Sequence, residues 1–312
     1  MNLHEPQALY THRRCFTRPQ ATLSMNECRY YERLEDGAVK CELCPHGCRI
    51  GDGKAGICRS RRNQGGRLVS EVYGKPCALA IDPVEKKPLY HFHPGTTCLS
   101  LACTGCNFRC LNCQNHDISQ AAPEDVDHYL LTPEQVVALC LKHRCPGIAY
   151  TYTEPLTYIE YVGETARLAH EQGLWNILVT AGYVNPQPLA DLLPYIDAAN
   201  VDLKSFSDDI YRRLSGGRLQ PVLDTILAMR DAGVWIELTN LVIPGVNDDL
   251  QMIRDMCRWM VDNRLSEAPL HFSRFFPRYK MQDLSPTPLH TLKEAKRIAQ
   301  EEGIQHVYLG NV

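Results

Sequence analysis

Three cysteines stand within one short stretch, Cys106-Asn-Phe-Arg-Cys110-Leu-Asn-Cys113. Thiolates spaced Cys-x3-Cys-x2-Cys can reach three corners of one [4Fe–4S] cube, leaving the fourth iron without a protein ligand. Clusters that only pass electrons use four cysteines, so an open iron is a place where a substrate or cofactor can bind and be reduced. A zinc knot, or a set of buried structural thiols, is the alternative reading. Cys103 precedes the loop by three residues. A strand leading into the loop should point it at the barrel wall, so it is read as a packing cysteine.

A second group of thiols comes earlier: Cys41-Glu-Leu-Cys44-Pro-His-Gly-Cys48, then Cys58 after Gly51, Gly53 and Gly56. Four thiols at these spacings, with turn-forming glycines between them, suit a closed metal site. Zinc is one occupant and a second Fe–S cluster the other; spacing does not separate them. His46 replacing one cysteine, and unliganded thiols near the surface, are the competing readings. Arg59, Arg61 and Arg62 follow and read as a solvated basic edge.

Fifteen cysteines without an apolar N-terminal leader point to a reducing cytoplasm and metal chemistry rather than disulfides. A formal net charge of −3 gives no electrostatic case for nucleic acid or an anionic membrane, and no apolar stretch is long enough to span a bilayer. With 44% hydrophobic and 22% charged residues, the chain can bury one large core beside a smaller region.

The elements that must position these cysteines alternate regularly from residue 97 onward. Strands are expected over 98–102, 147–152, 174–180, 200–204, 234–242 and 270–275, with a short last one over 305–309. Helices fall between them. One opens at Thr132-Pro133-Glu134-Gln135, a capping box with Pro at its first position. Others run from Leu156 to Gly173, through Leu189–Leu193, around Val222–Met229, from an Asp248 cap, and from Thr287-Pro288. Six strand–helix units predict a parallel sheet with helices outside, wound right-handed. The fold class is therefore α/β, a partial (β/α)6 TIM-type barrel with a small cysteine-rich N-terminal region. A complete eightfold barrel needs ~250 residues, more than remain. Residues 1–24 read as a loose extension, 25–90 as the cysteine-rich region and 91–312 as the barrel. Within 25–90, a hairpin turns at Asp36-Gly37 and a short strand pair lies in 66–80. Asp82–Gly95, with prolines around a Glu-Lys-Lys run, reads as a loop; His91 and His93 there read as structural or surface residues.

Several stretches resemble one family. They are Cys41-Glu-Leu-Cys-Pro-His-Gly-Cys48, Lys86-Lys-Pro-Leu-Tyr-His-Phe92, Cys106-x3-Cys110-x2-Cys113-Gln-Asn115, Tyr150-Thr-Tyr-Thr-Glu-Pro155, Asn200-Val-Asp-Leu-Lys204 and Ile243-Pro-Gly-Val-Asn-Asp248. From about Met25 to the end the chain resembles the radical S-adenosylmethionine (SAM) superfamily, and within it the radical SAM member of the AmmeMemoRadiSam system, related to the pyruvate formate-lyase activating enzyme. The resemblance implies a [4Fe–4S] cluster on Cys106, Cys110 and Cys113. It also implies SAM bound at the open iron through its amino and carboxyl groups, and reductive cleavage to a 5'-deoxyadenosyl radical that abstracts hydrogen from a substrate protein or small molecule. An electron donor such as flavodoxin or ferredoxin goes with that chemistry. The non-catalytic alternative is an iron–sulfur or zinc scaffold or electron carrier.

In a parallel barrel, ligands sit at the C-terminal strand ends. Glu154 matches the family position that accepts from the SAM ammonium; its bland reading is a helix N-terminal acid. Lys204 and Asp202 end the fourth strand on one side, suited to the SAM carboxylate and to a ribose or substrate group, or to a plain salt link. Thr180, Asn240 and Ser273 are weaker candidates of the same kind. Two positions depart from the family pattern: Asn112 stands where an aromatic residue is usual, and Thr180-Ala-Gly182 replaces Thr-Asn-Gly.

Overall fold

A computed structural model describes residues 26–312. The expected extension over residues 1–24 lies outside them.

In chain order the strands of the N-terminal region are β1 (Tyr31–Arg33), β2 (Val39–Cys41), β3 (Arg49–Ile50), β4 (Arg61–Gln64) and β5 (Arg67–Ser70). The sheet that follows comprises β6 (Pro76–Pro83), β7 (Thr97–Cys103), β8 (Gly147–Tyr150), β9 (Trp175–Thr180), β10 (Ala198–Asp202), β11 (Trp235–Val242), β12 (Leu270–Arg274) and β13 (Val307–Gly310). Its helices are α1 (His116–Ser119), α2 (Pro133–Lys142), α3 (Ile159–Glu171), α4 (Pro186–Leu192), α5 (Asp208–Ser215), α6 (Leu219–Asp231), α7 (Leu250–Asp262) and α8 (Leu289–Glu301).

Strands β7 to β13 pair in sequence order, each parallel to the next, and β6 adds an antiparallel edge to β7. The sheet has eight strands and two separate edges, so the barrel is open. Parallel neighbours need crossovers, and the intervening helices supply them, which buries both faces of the sheet. Leu99, Leu101, Ile148, Leu178, Val201 and Leu238 pack in the main core with the helix faces. The opposite face carries small side chains, Cys98, Ala149 and Ala198, against Val84 and Leu89.

That second face explains Asp82–Gly95. The segment is not wholly loop: β6 runs through Pro83 and a single 3-10 turn covers Val84–Lys86. The rest packs against the sheet as a plug. Asn200 Nδ2 donates to Pro88 O at 2.9 Å, and Glu237 accepts from the backbone N–H groups of Tyr90 (2.9 Å) and His91 (2.8 Å). Buried Lys87 pairs with buried Asp82 at 2.6 Å. His93 stacks on Trp175 and His91 contacts the Tyr308 hydroxyl at 2.6 Å, so both histidines are structural.

Local signals hold in most places. Thr132 caps α2 with a full capping box to Gln135, and the Asp36-Gly37 turn joins the antiparallel pair β1–β2. Four expectations change. The strand pair beyond residue 60 is β4 with β5, and the remainder of 66–80 enters the barrel as β6. Asp249, not Asp248, caps α7 by accepting from Met252 N at 2.8 Å; Asp248 instead accepts from Gly245 N. Thr287 is buried and ties strand ends together rather than opening α8, donating to Val242 O and accepting from Phe275 N. Strand β8 ends at Tyr150, two residues early, because Tyr152 turns into the left-handed region at φ 64°.

The largest correction concerns the basic edge. Arg61 is not solvated: its side chain is 1% exposed and its two terminal nitrogens grip Glu160 of α3 at 2.7 and 3.2 Å. β4 is folded onto the barrel, and a long cation can be buried there because a carboxylate waits for it. Arg61→Met alone leaves Glu160 buried and unpaired, and is expected to cost about 3–5 kcal/mol in denaturant unfolding. A change below about 1 kcal/mol would show the pair to be dispensable.

Candidate functional site

The cysteine loop leaves the C-terminal end of β7 and is tied down from several sides. Gly105 N donates to Ile118 O at 3.0 Å, Arg109 N to Ser215 O at 2.9 Å, and Leu111 N to Leu214 O at 3.0 Å. Lys280 N closes on Leu111 O at 2.9 Å. Phe108 is the loop's anchor. Its buried ring sits 4.9 Å from that of Tyr183 and directly against Gly217, where no side chain would fit.

Burial pushes the thiols of Cys106 and Cys110 up; the two neighbouring cysteines add to this at Cys106, and Lys204 opposes it at Cys110. Each sulfur already has a polar neighbour. Phe108 N donates to Cys106 Sγ (3.3 Å), Cys110 Sγ meets Ser215 Oγ (3.4 Å), and Cys113 Sγ meets Ser119 Oγ (3.1 Å). Phe108 N–H is aimed at sulfur, and the two serine hydroxyls can turn to donate once the thiols lose their protons, so three soft ligands on one ordered loop fit an iron–sulfur cluster. Cys103 is fully buried on β7 among core residues, as a packing cysteine should be. Among the described residues, no three His, Cys, Asp or Glu side chains converge as a single-ion shell would require. A cube has no such requirement, because each thiolate takes a different iron.

Gly105 is required for geometric reasons. Its φ is +108°, and a Cβ there would lie 2.5 Å from the Cys58 carbonyl oxygen. Gly105→Ala is therefore expected to displace the loop, costing about 1–3 kcal/mol in thermal unfolding and lowering iron per chain after reconstitution. Unchanged iron content with wild-type stability would show the contact to be soft.

Glu154 lies past the end of β8, 2% exposed. Its carboxylate accepts from Thr180 Oγ1 (2.6 Å), Ala181 N (2.8 Å) and Leu156 N (3.2 Å), all neutral donors. Burial raises its pKa, and the three hydrogen bonds and Lys204 only partly offset that. It is both the helix-cap acid and a buried carboxylate beside the cysteines, since Cys106 senses its charge. Thr180 is committed to Glu154 and to Gly182 N, so it positions the carboxylate.

Lys204 Nζ pairs with Asp202 at 2.9 Å beyond the end of β10. Burial acts against its charge, but Asp202 and Cys110 outweigh it and hold the ammonium firmly protonated. Its backbone is fixed by the Tyr211 hydroxyl at N (3.0 Å) and by Asn247 Nδ2 at O (2.7 Å). Asn240 donates to Leu203 O while its Oδ1 is buried without a partner; Asn107 and Asn112 in the cysteine loop show the same orphaned oxygen. Ser273 lies against Gly310 at the far edge.

Ser119, Ser215, Tyr211 and Asn247 are site residues the sequence did not announce. They reach the cysteines and Lys204 from α1, α5 and the segment before α7, and no spacing rule links those segments. Helix α5, with Ser207 as its cap, was itself missing from the expected elements.

An open parallel barrel carrying three thiolates and a buried acid at its strand ends defines a protein of iron–sulfur, cofactor-binding type. The Radical SAM superfamily pattern matches residues 101–259, just over half of the chain. An uncharacterized protein of Methanocaldococcus jannaschii is 46% identical over 288 residues, covering 92% of this chain and 86% of that one. The pyruvate formate-lyase 1-activating enzyme of Escherichia coli K12 is 25% identical over 219 residues, covering 64% and 87%. SuiB of Streptococcus suis, solved with S-adenosylmethionine, shares the fold at a TM-score of 0.54 and 11% identity, over 68% of this chain and 50% of that one. The chain belongs to the radical SAM superfamily. Membership implies a [4Fe–4S] cluster and SAM as cofactors. Among the described residues no helix is long and apolar enough to cross a membrane.

Proposed function

We propose that this chain is a radical SAM enzyme that cleaves SAM reductively and uses the resulting 5'-deoxyadenosyl radical to abstract hydrogen. The observation that carries the reading is an acid and a base at the strand ends beside the cysteine loop: Glu154 past β8, buried and held by Thr180 and Ala181, and Lys204 past β10, paired with Asp202 at 2.9 Å. An electron carrier has no use for a buried acid and a half-buried base beside its cluster. A methionine moiety presents an ammonium and a carboxylate together, and Glu154 and Lys204 offer one partner to each.

When bound, the cluster supplies one electron to the SAM sulfonium. The chain's own residues bind and orient. Cys106, Cys110 and Cys113 would hold the cluster. Glu154, itself held by Thr180, takes the ammonium; Lys204 takes the carboxylate; Asp202 is left for a ribose or substrate hydroxyl. The electron comes from a small carrier such as flavodoxin or ferredoxin. Relatives named as activating enzymes favour hydrogen abstraction from a partner protein over a small-molecule substrate. Anaerobic reconstitution with SAM and dithionite, followed by a search for 5'-deoxyadenosine, tests the reading. No 5'-deoxyadenosine from a cluster-loaded protein would defeat it.

A further inference from the structure

The N-terminal thiols adjoin the cysteine loop but take no part in the site above. Cys41, Cys44, Cys48 and Cys58 gather where β2 turns into β3 and β4 begins. Cys41 N donates to Cys48 O at 2.8 Å, which folds the first three into one turn. Gly56, two residues before Cys58, donates its N–H to Arg61 O at 2.9 Å, and a Cβ there would stand 3.8 Å from Cys48 Sγ, so the segment carrying Cys58 closes on the same turn. Cys41, Cys44 and Cys58 are buried and Cys48 is partly so, all on one glycine-rich stretch.

Two buried donors beside them lack partners. Arg61 spends its terminal nitrogens on Glu160, but its Nε–H has no acceptor although the side chain is 1% exposed. Ser60 Oγ, also fully buried and next but one to Cys58, has none either. An unmet buried donor costs about 1–3 kcal/mol, so two of them in adjacent residues call for an acceptor. Besides Glu160, the ionisable groups that act on Arg61 are the thiols of Cys28, Cys41 and Cys58. Neutral thiols accept weakly; metal-bound thiolates accept well.

We propose that Cys41, Cys44, Cys48 and Cys58 ligate a second iron–sulfur cluster, with Arg61 Nε–H and Ser60 Oγ–H donating to its thiolates. Iron–sulfur is favoured over zinc by geometry. Tetrahedral zinc draws four sulfurs to ~2.3 Å of one point, and among the described residues no such convergence exists. The ligands of a cube stand apart, as those of the Cys106 loop do. Loading exchanges four thiol protons, released to solvent, for four Fe–S bonds. Cys28 is left out of the ligand set because it lies ahead of β1, tied by its N–H to Leu68 O at 2.7 Å, outside the turn that Cys41 N and Cys48 O close. The site shares a wall with the first one: Cys58 O and Ser60 lie against Gly105, and His46 Nε2 contacts Asn107 O at 2.9 Å.

The test uses the full chain with Cys106, Cys110 and Cys113 all changed to Ala, so that only the N-terminal centre can form and the outcome is independent of SAM cleavage. Anaerobic reconstitution with equal amounts of ferrous and ferric iron and with sulfide, in competition with zinc, should yield about four irons per chain and a paramagnetic signal on dithionite reduction. Cys28→Ala in this background should keep the iron. One zinc and no iron, no metal at all, or loss of iron in Cys28→Ala would each overturn the assignment. Arg61→Met combined with Glu160→Leu removes the buried pair without stranding a charge. It should shift the reduction potential of the N-terminal centre to more negative values, because the two opposite charges leave together and what remains lost is an N–H donor, which favours the reduced form. An unmoved potential would overturn the role of Arg61.

Discussion

Changing Cys106, Cys110 or Cys113 singly to Ala is expected to abolish 5'-deoxyadenosine formation and the ~400 nm absorbance of the cluster that this loop holds. No other thiol can take over. The loop is pinned to α1, α5 and Leu111–Lys280, so its sulfurs cannot slide, and Cys103 is buried on β7 facing the core. Cys103→Ala should therefore keep both cluster and activity, with only a packing cost. The measurement is iron content and 5'-deoxyadenosine on the four variants side by side, with the N-terminal cysteines intact. A Cys103 variant without this cluster, or a Cys110 variant that still cleaves SAM, would break the ligand assignment.

Removing the charge of Glu154 or of Lys204 is expected to weaken SAM binding by roughly ten- to a hundredfold, equivalent to ~1.4–2.8 kcal/mol. Glu154 is buried and Lys204 half-buried, so each would satisfy a charged group in a partly closed site, where an unmatched charge costs a few kcal/mol. Glu154→Gln is the cleaner variant, since it keeps the shape and one oxygen for Thr180 and Leu156, and gives up only the acceptor for Ala181 N. Lys204→Met also frees Asp202, so its loss should be the larger of the two. SAM affinity, read from the spectral change of the reconstituted cluster, decides this. Both variants should retain their iron, because neither side chain is a ligand. Wild-type affinity in both would move the SAM pocket elsewhere on the barrel.

Much of this protein is legible in its sequence because the signals are local. The Cys-x3-Cys-x2-Cys spacing sets a three-thiolate loop whatever surrounds it. The alternation from residue 97 dictates a parallel sheet, since successive strands separated by helices have few other ways to pair. Thr132 and Gln135 form a capping box from residues three apart, and Asp36-Gly37 makes its own turn. Where the sequence misled, the deciding contact lay far along the chain. Arg61 looks like one of three surface cations until Glu160 is brought to it by the fold, and a buried carboxylate reverses the sign of its preference for water. The Asp82–Gly95 stretch reads as loop because its prolines and charges cannot make a helix. Only the floor of the barrel, with Asn200 and Glu237 offering donors and acceptors, turns it into a plug. Ser119 and Ser215 meet the cysteines, and Thr180 meets Glu154, from segments with no fixed spacing to them. The sequence by itself determined which thiols stand together as candidate ligands and the order of the strands, because those depend on neighbours along the chain. Which charges face the ligands, and which thiols lie beside an unsatisfied buried donor, was decided by tertiary structure, because burial is a property of the packed molecule.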